Sequence, residues 1–127
     1  GRYGINISNA SVTNGVIEGN HLAGNGTAAI AYINTIGANM LLRNNSGFVL
    51  DASGTGTITS GTTAATVTHG LSVTPVAKDI TVNFAENPTA DPGNFWVSTF
   101  TATQFNVNVR ADPGASNLDF TWQARVI

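Results

Sequence analysis

The sequence predicts an all-β protein in two unlike halves, a coiled solenoid over residues 1–50 and a small antiparallel sandwich over residues 64–127. Three observations predict it. Short apolar stretches in the first half repeat at intervals in the twenties, five alternating β-rich runs fill the second half, and no stretch has helical periodicity. Composition agrees, since Gly, Asn, Ser and Thr supply 54 of the 127 residues and only 9% are charged. Average soluble domains carry about a quarter charged residues, so ion-pair-laced helices and self-repelling disordered tails are both excluded.

The repeat in residues 1–50 begins with Ile5 and Ile7 of G-I-N-I-S, which fall on Ile30 and Tyr32 of A-I-A-Y-I at an offset of 25. The next stretch follows: Val16, Ile17 and Asn20 of V-I-E-G-N fall on Met40, Leu41 and Asn44 of M-L-L-R-N, an offset of 24. One residue inserted in a turn accounts for the difference. A rung built of short strands and Gly/Asn turns cannot bury its own apolar face and stacks on the next. Asn20 and Asn44 are read as stacking turn residues, because Asn tolerates the left-handed conformation and its amide can bond to neighbouring rungs. The alternative is two unrelated hairpins whose matches are coincidental.

Residues 51–63, which include S-G-T-G-T-I-T-S-G-T-T (53–63), read as a low-complexity connection. The β-rich runs follow at residues 65–69, 76–84, 95–101, 104–110 and 118–126. Alternation puts Phe105, Val107 and Val109 on one face with Asn106, Asn108 and Arg110 on the other. The last run sends Leu118, Phe120, Trp122, Ala124 and Val126 to one side. H-G-L-S-V-T-P, E-N-P-T-A-D-P-G-N and A-D-P-G-A-S-N supply the turns. An antiparallel sandwich is the expected arrangement.

Charge and motif content narrow the function. Five basic residues, Arg2, Arg43, Lys78, Arg110 and Arg125, are scattered, so nucleic acid and anionic membrane surfaces are not expected partners. No apolar run approaches the roughly 20 residues of a spanning helix, so membrane insertion is not expected either. The absence of Cys removes disulfides, thiolate metal sites and Cys nucleophiles. The first half offers Glu18, His21, Arg2 and Arg43 but no Asp, and glycosidase chemistry needs two acids. Nucleophile elbows, phosphate loops and His-x-x-x-His pairs are missing. The chain therefore reads as non-enzymatic, with no cofactor and no metal. A surface so poor in charge has little to keep copies apart, which makes a self-assembled oligomer the expected state.

Few residues remain as candidates for contact with a ligand or partner. Trp96 lies opposite Phe95 and Val97 by alternation, an outward aromatic suited to a sugar face or an interface, whereas Trp122 reads as core. The turn from Glu86 to Asn94 presents Glu86, Asp91 and Asn94, whose spacing fits no 12-residue calcium loop. His69 ends a β run before Gly70 and is read chiefly as structural, bonded to a turn or packed between subunits.

T-V-T-H-G-L (66–71), Pro75, F-W-V-S (95–98), T-A-T (101–103) before F-N-V-N-V (105–109), and D-F-T-W-Q-A (119–124) together form a pattern. It resembles the C-terminal domains of bacteriophage tailspikes, tail fibres and neck appendages. Residues 3–48 similarly resemble the last rungs of the right-handed parallel β-helix of pectate-lyase-like proteins. The closing strands also look like those of H-type lectins, six-stranded trimeric sandwiches that bind sugars; the turn at Asp112 to Asn117 departs from that pattern, so none of the lectin's sugar-binding residues carries over. The resemblance implies a homotrimeric capping module of a virion tail, acting in host attachment outside the cell, with cell-surface glycan as an alternative partner. A further alternative is the non-catalytic end of a polysaccharide-degrading tailspike, and because some such relatives carry a self-cleaving terminal chaperone, the Asp51-Ala52-Ser53 boundary is a candidate processing region by its position alone.

Overall fold

A computed structural model describes residues 3–32 and 39–126. Arg2, Ile33 at the end of the second repeat copy and the terminal Ile127 lie outside them. The described chain is all-β, with ten strands, one 3₁₀ turn and no α-helix. It divides into two compact units, residues 1–50 and 51–126.

The first unit holds β1 (Tyr3–Ile7), β2 (Asn14–Glu18), β3 (Ala28–Tyr32) and β4 (Asn39–Arg43). Its pairs are parallel, β1 with β3 and β2 with β4. Ile5 pairs with Ile30 and Ile7 with Tyr32, the offset of 25 expected. The second pair corrects the expectation: Val16 lies beside Leu41, Ile17 beside Leu42 and Glu18 beside Arg43, again an offset of 25 with no inserted residue. The reason is facing. A slip of one residue turns every side chain of a strand to the other side, and an offset of 24 would set outward Val16 on inward Met40. At 25, outward Val16 meets outward Leu41 and half-buried Ile17 meets buried Leu42. Leu22, Ile30, Met40, Leu42, Phe48 and Leu50 are buried.

The stacking asparagine changes with the offset. It is Asn45, not Asn44, that meets Asn20. The Asn45 Oδ1 accepts the Asn20 backbone N–H at 3.1 Å and its side-chain amide at 2.9 Å, while Asn45 Nδ2 donates to the Ile17 carbonyl at 2.8 Å. Asn44 is exposed with φ 54°, taking only the left-handed turn. Glu18 and Arg43 close an exposed ion pair across the same step, and His21 bridges to Ser46. Asn45→Ala is expected to cost about 1–3 kcal/mol, because it takes partners from the part-buried Asn20 N–H and Ile17 carbonyl together, whereas Asn44→Gly, which relieves a left-handed non-glycine, should be near neutral. Urea unfolding of the two variants checks this; equal losses would contradict it.

The second unit corrects the reading of residues 51–63. The expected connection is a strand, β5 (Asp51–Ile58), so the antiparallel sandwich begins at Asp51 rather than at residue 64. It pairs along its whole length with β10 (Leu118–Arg125), from Ile58 beside Leu118 to Asp51 beside Arg125. Its glycines face aromatic rings: Gly54 lies beside Trp122 and Gly56 beside Phe120. A Cβ on residue 54 would stand 3.1 Å from the indole, and one on residue 56 would enter the Phe120 ring. Low complexity here is close packing, with β10 supplying the bulk that β5 omits. The Asp51-Ala52-Ser53 boundary lies within this paired strand.

Two three-stranded antiparallel sheets result. One has the order β5-β10-β7, with β7 at Ile80–Phe84; the other has the order β6-β9-β8, with β6 at Ala64–Thr68, β8 at Phe95–Ser98 and β9 at Gln104–Val109. The run at 76–84 is strand only from Ile80, because Asp79 Oδ2 accepts the Val76 N–H and the Asp79 N–H returns to the Val76 carbonyl, closing a 3₁₀ turn at Ala77–Asp79. The run at 95–101 stops at Ser98, where Thr99 turns to φ 54°. Phe105, Val107, Val109, Ile58, Leu118, Phe120 and Trp122 are buried, with the Phe105 and Trp122 rings meeting edge to face at 5.6 Å. The turn at Asp112 to Asn117 is tied to the β5–β6 turn. Asp112 Oδ1 accepts the Gly61 and Gly114 N–H groups, and Asn117 Oδ1 accepts that of Ser60.

Candidate functional site

The sequence candidates scatter over the second unit. His69 is 3% exposed. Its Nδ1 accepts the Leu71 N–H at 3.0 Å, which leaves Nε2 to donate to the Thr101 carbonyl at 3.1 Å, and the ring stacks on Phe105. Both nitrogens are used in holding the turn. Glu86 is spent on fold as well, its Oε1 accepting the Asp119 N–H at 3.0 Å. Asp91 caps its own turn through the Gly93 N–H at 2.8 Å. Among the described residues no group of three or more His, Asp or Glu is placed to hold a metal ion.

Trp96 lies on β8, and Asn94 lies two residues earlier, where the chain enters that strand. Strand alternation turns Phe95 and Val97 toward the core and Trp96 and Ser98 away from it, and Trp96 is 50% exposed. Trp122, the other indole, is buried at 6% as the sequence implied. The pairing register then sets neighbours that no sequence spacing revealed. Trp96 lies beside Asn108 and Ser98 beside Asn106, with Ala64 and Thr66 beyond them on β6. Asn94 accepts the Arg110 N–H through its carbonyl at 3.0 Å, placing Arg110 in the next row. The outer face therefore carries Trp96, Asn108, Asn106, Ser98 and Thr66, with Arg110 just beyond the end of β9. Asn106, Asn108 and Arg110 carry a signal in the N-V-N-V-R alternation, but it gives their side of the strand and not their partner.

This patch is ordered by its own hydrogen bonds. Asn108 Nδ2 donates to the Trp96 carbonyl at 3.3 Å and to Ser98 Oγ at 2.9 Å, and Thr66 Oγ1 donates to Asn106 Oδ1 at 3.0 Å. These contacts orient both amides, leaving Asn106 Nδ2 and Asn108 Oδ1 without a partner among the described residues.

A second surface lies at one side of the sandwich. β7 and β8 are edge strands of their respective sheets, and Phe84 and Phe95 meet between them with ring centroids 5.1 Å apart. Phe95 belongs to the inward row yet stays 45% exposed. The sandwich does not close over this edge. No family model, curated protein or solved structure matches the chain.

Proposed function

We propose that this chain is a structural, non-enzymatic module, the trimerisation and capping region of a bacteriophage tailspike or tail fibre that serves host attachment from the virion tail. In this reading the parallel pairs of residues 3–50 are the last rungs of a right-handed parallel β-helix, and three sandwiches lock three such ends together. The constant 25-residue offset of both pairs and the Asn20–Asn45 ladder support the solenoid. Phe95 carries the assembly: an inward-row aromatic left 45% exposed on an edge strand, beside Phe84, is a half-built core that a second copy completes. An open edge also invites uncontrolled pairing, and a closed three-fold ring removes that liability. The number three comes from the resemblance to tailspike caps and H-type lectins. Interdigitation across the axis would make the assembly resist unfolding kinetically.

Light scattering on the full chain is expected to give a mass of about 39 kDa, three chains of 13.1 kDa. Phe95→Glu, at an edge and already half in solvent, should shift that mass toward one chain while circular dichroism keeps its β signature. A wild-type monomer that persists at high concentration would overturn the reading.

A second reading, recognition of cell-surface glycan, is favoured by Trp96, a half-exposed residue on a polar sheet face. The two roles use different surfaces and are compatible.

A further inference from the structure

We infer that the outer face of the β6-β9-β8 sheet binds an acidic sugar, with Trp96 as the stacking floor and Arg110 as the anchor for the sugar's carboxylate. This deepens the glycan reading and rests on it.

The charge on the face points to the acid. Arg43 pairs with Glu18, Lys78 with Asp79 and Arg125 with Asp51. Among the described residues Arg110 is the one Lys or Arg side chain with no ion pair, and the carboxylates of the adjoining turns are Asp91 and Asp112. Those two carboxylates are turned to backbone N–H groups, Asp91 to Gly93 and Asp112 to Gly61 and Gly114. The face itself, from Thr66 through Asn106 and Asn108 to Trp96, contains no carboxylate. An unpaired guanidinium on an acid-free face is complementary to an anion, and its planar fork matches a carboxylate through two hydrogen bonds.

Position and orientation point to a sugar. Arg110 is aimed by its own stem, since a Cβ on Gly93 would stand 3.1 Å from the Arg110 Cβ and 3.4 Å from its Cδ. The side chain thus lies over the glycine, toward the chain entering β8. Trp96 occupies the diagonal position across the β8–β9 pair, where Cα atoms stand ~7–8 Å apart and long side chains meet the same molecule. Beside Trp96 in its own row, and in the row after it, Asn108 Oδ1 and Asn106 Nδ2 offer an acceptor and a donor, held in orientation by Ser98 and Thr66. A hydroxyl both donates and accepts, so adjacent sugar hydroxyls satisfy the pair. A pyranose stacked on the indole would reach the Asn pair with its hydroxyls and Arg110 with its carboxylate.

A second copy of the chain is the competing occupant. Interface cores are apolar, and this face is Asn, Ser and Thr around a single aromatic, whereas the apolar Phe84–Phe95 edge lies elsewhere. The polar face is therefore assigned to the sugar.

The test is a panel of oligosaccharides containing uronic or sialic acid, each matched to a copy whose carboxyl has been reduced to the alcohol, bound to the full wild-type chain. Acidic members are expected to bind at least about tenfold more tightly than their reduced copies, and Arg110→Gln should erase that difference. Trp96→Ala should weaken both members of each pair by about tenfold, with the light-scattering mass unchanged. Equal binding of acidic and reduced members would overturn the acidic assignment and leave the glycan reading standing. Binding of neither would overturn both. A fall in assembly mass on Trp96→Ala or Arg110→Gln would give the face to a second copy and overturn the proposal.

Discussion

Phe105→Ala is expected to destabilise the second unit by about 3–5 kcal/mol, the cost of emptying an aromatic site in a closed core. Phe105 is 0% exposed and lies within ring contact of His69, Phe100 and Trp122. It also holds the central strand of its sheet against Val67 on β6. No flanking strand can collapse into the gap without breaking that ladder. For a unit of this size each kcal/mol is worth about 4–8 °C, so a fall in Tm of at least about 12 °C is expected by circular dichroism. Trp96→Ala, of comparable size but on the outer face, should shift Tm by only a few degrees. Similar losses for the two would contradict the assignment of faces.

Gly56→Val is expected to be as damaging, for the opposite reason. The new Cβ would occupy the Phe120 ring, which is itself 0% exposed, so either β5 leaves β10 or Phe120 leaves the core. Overpacking costs typically 1–3 kcal/mol, and expelling Phe120 adds the loss of a buried aromatic, so the total should exceed about 3 kcal/mol. Combining Gly56→Val with Phe120→Ala should recover part of it, since the small residue vacates the contested space. Gly61→Asn makes the contrast: φ is +83° but nothing lies within 4 Å, and Asn tolerates that conformation, so the change should cost under about 1 kcal/mol. Gly56→Val unfolding at the wild-type urea midpoint would sink the account of β5.

Much of the fold was legible because side-chain period is local. The N-V-N-V-R and L-D-F-T-W-Q-A-R-V alternations fix which residues face inward, and the structure buries Phe105, Val107, Val109, Leu118, Phe120 and Trp122 accordingly. The β1–β3 repeat was legible since Ile5 and Ile7 have like partners at Ile30 and Tyr32. The β2–β4 offset is ambiguous in sequence because V-I-E-G-N and M-L-L-R-N match equally well in two frames. Only burial tells Met40 and Leu42 from Leu41. The glycine-rich β5 looks like a connection in sequence because the bulk that makes it a strand, Phe120 and Trp122, stands more than sixty residues away.

The candidate site divides the same way. The outward direction of Trp96 and of Asn106, Asn108 and Arg110 was fixed by alternation within each strand. That β8 and β9 lie side by side, with Trp96 on Asn108 and Asn94 on Arg110, was decided by tertiary pairing. So were the burial of His69 and the capture of Glu86 by Asp119, since a hydrogen bond's partner depends on what folding brings within 3 Å. The sequence alone settled an all-β chain, its charge-poor surface and the facing of most strands, because these follow from composition and a two-residue period. Register, the strand hidden in glycine and the patch around Trp96 were settled by tertiary structure, because each depends on contacts between residues far apart in the chain.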